Sequence, residues 1–190
     1  MTAKAQIKPR EKTFNITNFI FYAGAAAIGA ALKIFYDIAG NDQLIFMIKT
    51  ASNLVALFYN TDFFYDSKLG YVSHQLGITI GKSCAGINYM IIVLLMLAFS
   101  YIHYFKSTKS KIIYFAVIFP AAYLMTILAN SSRIILSIKM LDMSWLYNSF
   151  SKETVHLITG IFTFVGFLIL FNFLFSIIIK KVRKRNEEFT

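Results

Sequence analysis

Four long apolar stretches, separated by short polar segments, dominate the sequence. Each is close to the ~20 residues that a helix needs to cross the roughly 30 Å hydrocarbon core of a bilayer. The pattern therefore predicts four transmembrane helices, over Thr17–Tyr36, Ala85–Tyr104, Ile112–Ile134 and His156–Ile179. Pro120 lies inside the third stretch and predicts a kink there, because proline cannot donate a backbone hydrogen bond. The expected fold class is an all-α membrane protein.

A fifth apolar stretch, Leu44–Tyr59, differs from the other four. It carries Lys49, Thr50, Ser52 and Asn53 at its centre. A crossing at this point would also place the basic segments of the chain on opposite sides of the membrane. We therefore predict an interfacial amphipathic helix that lies on, or dips into, the outer membrane surface.

Between Asn60 and Ser83 the long apolar runs give way to short segments. Aromatic and β-branched residues lie on both sides of a turn-like segment, Asp66–Gly70. Phe63–Tyr65 and Tyr71–Ile80 are therefore predicted as two short strands around a glycine-containing turn. The expected product is a small β-hairpin on the outer face of the protein.

The basic residues are clustered and do not spread over a surface. The 190-residue chain has a net charge of +10 and is 57% hydrophobic. Its lysines and arginines gather near the N-terminus, in the loop at Lys106–Lys111, and after Ile179. Each cluster adjoins a long apolar stretch, which is the positive-inside pattern of cytoplasmic segments and not a nucleic-acid-binding face.

This charge pattern predicts a single integral membrane domain over residues 1–190. Residues 1–16 are expected to form a cytoplasmic N-terminus and residues 180–190 a basic cytoplasmic tail. Residues 44–83, with the interfacial helix and the hairpin, are expected on the extracytoplasmic side. The first apolar stretch is longer than the core of a usual signal peptide, and no convincing cleavage site follows it, so we predict a retained anchor.

Three chemically active side chains are predicted to lie at one depth in the membrane. Cys84 lies 22 residues before the first lysine of the basic loop, and Arg133 lies 22 residues after its last lysine. His156 lies 24 residues before the basic tail. At about 1.5 Å per residue, each separation is roughly 33–36 Å, about one membrane thickness. A thiol, a guanidinium and an imidazole are therefore expected together at the outer ends of three helices.

The chemistry of each of these side chains suits one role in acyl transfer. Cys84 is expected at or just before a helix N-terminus, where free N–H groups favour a thiolate nucleophile. His156 is suited to accept its proton and later to protonate the leaving amine. Arg133 is suited to stabilise an oxyanion. Taken singly, the residues have ordinary alternatives: an inert packed cysteine, a snorkelling arginine and a polar residue at a helix boundary.

Other chemistry is less well supported by the sequence. A single cysteine permits neither an internal disulfide nor a cysteine-rich metal site. His74, His103 and His156 do not form an H-E-x-x-H motif, so no metal and no cofactor is predicted. The alternative function is that of a non-catalytic membrane protein, such as a transporter subunit or an assembly factor. Transport, however, would favour paired intramembrane charges or an inverted repeat, and neither is visible.

Three short motifs occur in an order that resembles a known family. Ser83–Asn88 resembles the Cys-[Ser/Ala]-Gly motif of the exosortase and archaeosortase family. Ala129–Ile134 is similar to the family's Asn-x-x-Arg motif, and His156–Gly160 is similar to its His-x-x-x-Gly motif. The resemblance covers roughly residues 44–172.

The resemblance implies a membrane-embedded cysteine peptidase or transpeptidase, in the inner membrane of a bacterial cell, with its site on the extracytoplasmic face. Its expected partners are the lipid bilayer and membrane-anchored proteins that carry a C-terminal sorting signal. Cys84 would be the nucleophile that forms a thioacyl-enzyme, His156 the acid/base and Arg133 the transition-state stabiliser. The supporting or substrate-binding residues would be Gly86, Asn88, Asn130 and Gly160. The chain has four predicted spans where the family commonly has about eight, which makes it similar to compact subfamilies such as exosortase K.

Overall fold

The computed structural model describes residues 16–141 and 151–188. Residues 1–15 of the predicted cytoplasmic N-terminus, and the last two residues of the predicted basic tail, lie outside the described residues. Within the described residues the chain is mainly helical and contains one small sheet.

Among the described residues, four helical segments are long and apolar enough to cross a membrane. They cover Ile16–Ile38, Lys82–Tyr104, Thr108–Met140 and Thr154–Lys181. Each segment contains one of the four stretches predicted from the sequence. The prediction of an all-α, multi-pass membrane fold is therefore confirmed.

The helices are numbered in chain order: α1 Ile16–Ile38, α2 Ile45–Tyr59, α3 Ile87–Tyr101, α4 Thr108–Leu141 and α5 Lys152–Glu188. Short 3-10 turns, Lys82–Cys84 and Ile102–Tyr104, precede and follow α3. Pro120 lies inside α4 without ending it. A kink at this residue stays a prediction.

Helices α3 and α4 form the centre of the bundle. Helix α3 contacts α1, α4 and α5, and α4 also contacts α2. Val93, Leu94 and Leu97 of α3 are completely buried. In contrast, α1 and α5 expose large apolar side chains, among them Ile34 and Phe162. Soluble monomers rarely expose apolar surface on this scale, and the hydrocarbon of a bilayer is the solvent that suits it.

Helix α2 packs one face against α4. Its buried positions include Ile48, Ala51 and Val55, which are three and four residues apart and so share a helical face. The hydroxyl of Tyr59 donates to the Ile135 carbonyl of α4 at 3.1 Å. The 15 residues of α2 rise only about 22 Å, less than the roughly 30 Å of hydrocarbon. Its position on the membrane surface stays a prediction.

The sheet has three antiparallel strands: β1 Phe64–Asp66, β2 Gly70–Ser73 and β3 Ile78–Ile80. Val72 of the central strand pairs with Phe64 on one side and Thr79 on the other. The predicted hairpin is therefore present and has one further strand. The segment Tyr71–Ile80, predicted as one strand, forms two because the chain turns near Gly77, whose φ of +62° favours glycine.

The turn between β1 and β2 is stabilised by the Asp66 side chain and packs against the end of β3. One carboxylate oxygen of Asp66 accepts the backbone N–H groups of Lys68 and Leu69, each at 2.8 Å. Gly70 follows with a φ of +100°, and a Cβ at this residue would lie 2.5 Å from the Ile80 carbonyl oxygen. The glycine therefore allows the turn to contact the strand that leads towards Cys84.

Candidate active site

Cys84 lies in the short connection between β3 and α3. The 3-10 turn Lys82–Cys84 follows β3, and α3 begins at Ile87. Between them, Gly86 adopts a φ of +75°, a left-handed conformation that favours glycine. Cys84 is half-buried and carries a free thiol. The prediction that this cysteine lies just before a helix N-terminus is confirmed.

One face of α4 contacts this connection. Thr126, Asn130 and Arg133 are four and three residues apart, so they lie on the same face. A Cβ at Gly86 would lie 3.0 Å from Thr126 Cγ2 and 3.3 Å from Asn130 Cγ. Glycine therefore permits a close approach of the two elements. The fully buried Asn130 donates from Nδ2 to the carbonyl of Cys84, so α4 holds the main chain of the candidate nucleophile.

Arg133, one helical turn beyond Asn130, joins α4 to α5. Its Nη1 lies 3.2 Å from His156 Nε2, and its guanidinium carbon lies 5.4 Å from the centre of the Phe164 ring. The residue is only 8% exposed. Its Nε and Nη2 are buried, and neither has a hydrogen-bond partner within the described part of the chain. Two donor nitrogens of a permanent cation therefore have no acceptor among the described residues.

Three residues of α5 surround this arginine. His156, Gly160 and Phe164 are four residues apart and share one helical face. The Phe164 ring stacks on Tyr89 of α3, with ring centres 4.5 Å apart. A Cβ at Gly160 would lie 3.6 Å from Arg133 Cδ, an ordinary van der Waals distance. The space beside Gly160 is therefore large enough for an alanine side chain.

The contact between Arg133 and His156 determines where the imidazole carries its proton. A guanidinium offers only donors, so His156 Nε2 has to be the acceptor of this hydrogen bond. The ring is then neutral, with its single proton on Nδ1. This is the form of histidine that is able to act as a base.

The contacts above involve six of the predicted site residues and form two groups that only helix α4 joins. Cys84 and Gly86 contact Asn130, and His156 and Gly160 contact Arg133. The thiol itself contacts Ser83, whose Oγ lies 3.9 Å from the sulfur. Over residues 16–141 and 151–188, no hydrogen bond joins the thiol to Arg133 or His156. Asn88, the remaining predicted residue, is exposed on the first turn of α3 and takes no part in these contacts.

Three residues that support the site were not predicted from the sequence. Thr126 lies one helical turn before Asn130, and Phe164 lies one turn after Gly160. Helical periodicity, applied outward from the two helical motifs, would have found both. Tyr89 carries no such signal, because its contact with Phe164 depends on how α3 packs against α5.

Four membrane-length helices, with these polar groups gathered where three of them meet, define a multi-pass membrane protein with a candidate thiol-dependent site. The sequence profile of the family described as Transmembrane exosortase (Exosortase_EpsH) matches residues 24–173. The chain therefore belongs to the transmembrane exosortase family. Membership indicates, in general terms, a membrane-embedded transpeptidase or protease that acts on substrates with sorting signals. Comparison with curated proteins and with solved structures gave no match.

The matched region begins within α1 and ends within α5. It therefore contains all three side chains of the candidate chemistry: Cys84, Arg133 and His156. The match is to the family as a whole, and the resemblance to exosortase K stays a prediction.

Proposed function

We propose that the chain is a cysteine-dependent membrane transpeptidase or protease that processes exported proteins with C-terminal sorting tails. Cys84 is the nucleophile, His156 the acid/base and Arg133 the group that stabilises the oxyanion. The observation that carries this proposal is the shared face of α4. There, Asn130 holds the Cys84 carbonyl, and Arg133, one turn further on, contacts His156.

The reaction proceeds in two acyl transfers. The sulfur of Cys84 attacks the scissile carbonyl carbon, forming a C–S bond, while the thiol proton passes to His156 Nε2. The tetrahedral intermediate then collapses, the C–N bond breaks, and the leaving amine takes the proton from the imidazolium. An amine or a water molecule next attacks the thioester and gives its proton to the imidazole, and the proton finally returns to the thiolate. An amine acceptor gives transpeptidation and water gives hydrolysis.

The pairing of Arg133 with His156 couples proton transfer to oxyanion binding. Protonated imidazole has no acceptor nitrogen, so it cannot keep the hydrogen bond from Arg133 Nη1. Nε2 carries the only lone pair of this tautomer, so the hydrogen bond from Arg133 has to open before Nε2 takes the thiol proton. The freed Nη1–H can then turn to the carbonyl oxygen, on which negative charge develops. Together with the unpartnered Nε and Nη2, the guanidinium then offers a planar set of donors to the oxyanion.

The charge pattern supports an extracytoplasmic position for the site. Arg133 and the Lys106–Lys111 loop lie towards opposite ends of α4, and His156 and the basic tail lie towards opposite ends of α5. Because basic segments are retained in the cytoplasm, the site would face the other side. An exported substrate presents there the residues that precede its own transmembrane tail.

The test is a processing assay in membranes that contain the full-length chain and an exported reporter with a matching C-terminal tail. Cys84→Ala and Cys84→Ser are expected to abolish cleavage while the protein stays inserted. Arg133→Ala and His156→Ala are expected to lower the rate by about 10²–10⁴-fold, the usual contribution of oxyanion and acid/base groups. Cleavage at the normal rate by Cys84→Ala would end the proposal.

Two matched variants control for loss of charge and loss of imidazole. Lys139→Ala removes an exposed cation from α4 whose Nζ lies 5.5 Å from the Phe58 ring and which makes none of the contacts of the site. His74→Ala removes an exposed histidine from the turn that follows β2. Both variants are expected to process the reporter at close to the normal rate.

A further inference from the structure

The connection between α1 and α2 contains a side chain that reaches two other parts of the chain. Asn41 is half-buried. Its Nδ2 donates to the Lys68 carbonyl at 2.8 Å and to the Ser67 carbonyl at 3.3 Å. Its Oδ1 accepts the backbone N–H of Lys82 at 2.8 Å. One amide therefore ties the turn between β1 and β2 to the 3-10 turn that carries Cys84.

The end of α1 holds the same 3-10 turn at Lys82. The Tyr36 hydroxyl donates to the Lys82 carbonyl at 3.4 Å, and Lys82 Nζ donates to the Asp37 carbonyl at 3.0 Å. The ammonium also lies 5.2 Å from the centre of the Tyr36 ring, within the range of a cation–π contact. Both backbone polar groups of Lys82 are thus engaged, the N–H by Asn41 and the carbonyl by Tyr36.

Gly81 packs closely against the turn between β1 and β2 and against the Asn41 side chain. A Cβ at this residue would lie 2.6 Å from the Leu69 carbonyl oxygen and 3.4 Å from Asn41 Oδ1. No side chain fits there, and the chain has a glycine at this position. The backbone that leads into the nucleophile turn is therefore fixed between the sheet and the Asn41 amide.

The same contacts shape a cleft along the 3-10 turn that leads to Cys84. A polar cleft of about 630 Å³ is lined by both of the segments that Asn41 joins. It extends from Lys68 and Leu69 on one wall to Ser83 on the other, next to Cys84. Loss of the Asn41 contacts would release both walls at once.

We propose that Asn41 is a positioning residue for the nucleophile. It holds the entry to the Cys84 turn through the Lys82 N–H, while Asn130 holds the exit through the Cys84 carbonyl. The turn is thereby held by the connection between α1 and α2 on one side and by α4 on the other. This inference rests on the proposed function, in which Cys84 attacks the substrate.

The experiment compares Asn41→Ala with Gln43→Ala in the full-length protein in membranes. Gln43 lies in the same connection, and its side chain accepts the local Gly40 N–H at 2.8 Å. Within the described residues it makes no hydrogen bond to the Cys84 turn, so its loss perturbs the loop without releasing the turn. Misplacing a reacting group by about 1 Å can cost on the order of 10²-fold in rate. Asn41→Ala is therefore expected to lower kcat by about 10- to 100-fold, with a much smaller change in KM, whereas Gln43→Ala leaves both near normal.

A second readout does not depend on processing. Cys84 is the only cysteine in the chain, so a membrane-impermeant maleimide labels a single position. Release of the turn is expected to raise the labelling rate of the inserted Asn41→Ala protein at least about threefold above that of Gln43→Ala. Asn41→Asp, which keeps the acceptor for the Lys82 N–H, is expected to give intermediate values in both assays.

Equal labelling rates and equal kcat values for Asn41→Ala and Gln43→Ala would overturn the positioning role. A loss of kcat without any change in labelling would also overturn it, since the turn would then be unchanged. Failure of the proposed function gives a different result, namely undiminished processing by Cys84→Ala. The two failures are therefore distinguishable.

Discussion

Gly86→Ala is expected to damage the site through two separate effects. Gly86 has a φ of +75°, a left-handed conformation that an L-residue adopts at a cost of about 1–2 kcal/mol. The new Cβ would also lie 3.0 Å from Thr126 Cγ2 and 3.3 Å from Asn130 Cγ. Overpacking of this kind typically costs a further 1–3 kcal/mol or so. The overpacking acts on Asn130, the residue that holds the Cys84 carbonyl.

Gly77→Ala separates the two effects. Gly77 has a similar φ of +62°, but a Cβ there would have no heavy atom within 4 Å. It should lose about 1–2 kcal/mol from the backbone term alone. The difference in unfolding free energy between the two variants, measured by SDS titration in mixed micelles, is therefore the cost of crowding against Thr126 and Asn130.

Gly86→Ala is also expected to lower the processing rate. To accommodate the new methyl group, Asn130 has to move by a few tenths of an ångström, and the carbonyl of Cys84 moves with it. We expect Gly86→Ala to process the reporter at least about 10-fold more slowly than Gly77→Ala, at equal amounts of inserted protein. If the two variants match in both stability and rate, the packing of Gly86 on Asn130 does not position the nucleophile.

Two further predictions concern the support of Arg133 and the turn of the sheet. Phe164→Leu removes the ring beside the Arg133 guanidinium. It is expected to slow processing by about 2- to 30-fold, the equivalent of a cation–π contact of roughly 0.5–2 kcal/mol. Phe164→Tyr keeps the ring and should restore most of the rate, and an equal loss in both variants would contradict the role of the ring. The N–H groups of Leu69 and Lys68 hold the pKa of Asp66 below its ordinary value of 3.8. Because the folded pKa is the lower one, the carboxylate stabilises the turn above the ordinary value, and this contribution is lost as the pH falls through the folded pKa. Amide exchange at Leu69 should therefore lose protection in acid, and an identical acid response in Asp66→Asn would show that this carboxylate is not the cause.

The sequence alone determined the membrane fold and the candidate chemistry. Lipid selects helices by length and apolar content, and both quantities can be counted along the chain. The four predicted stretches accordingly lie inside the four long helices of the structure. Three short motifs also mark Cys84, Arg133 and His156 as candidate catalytic residues.

For two details of local structure, the sequence pattern is compatible with more than one arrangement. The segment Tyr71–Ile80 has the composition of one strand, and only the pairing of β2 with both neighbours shows that it folds back near Gly77. Asn88 lies within a matching motif, yet the start of α3 is rotated so that its side chain is exposed. Motif membership does not determine the direction in which a side chain points.

Only the tertiary structure decided which side chains meet. The contacts of Asn130 with Cys84 and of Asn41 with Lys82 join residues that are 46 and 41 positions apart. Such pairs depend on the rotation and register with which helices pack, and these are set by the fit of side chains between neighbouring surfaces. Apolar content is nearly the same for every rotation of a lipid-facing helix, so it carries little information about that fit. The residues proposed to hold the nucleophile in place therefore emerge from packing, whereas the candidate nucleophile itself can be proposed from the sequence.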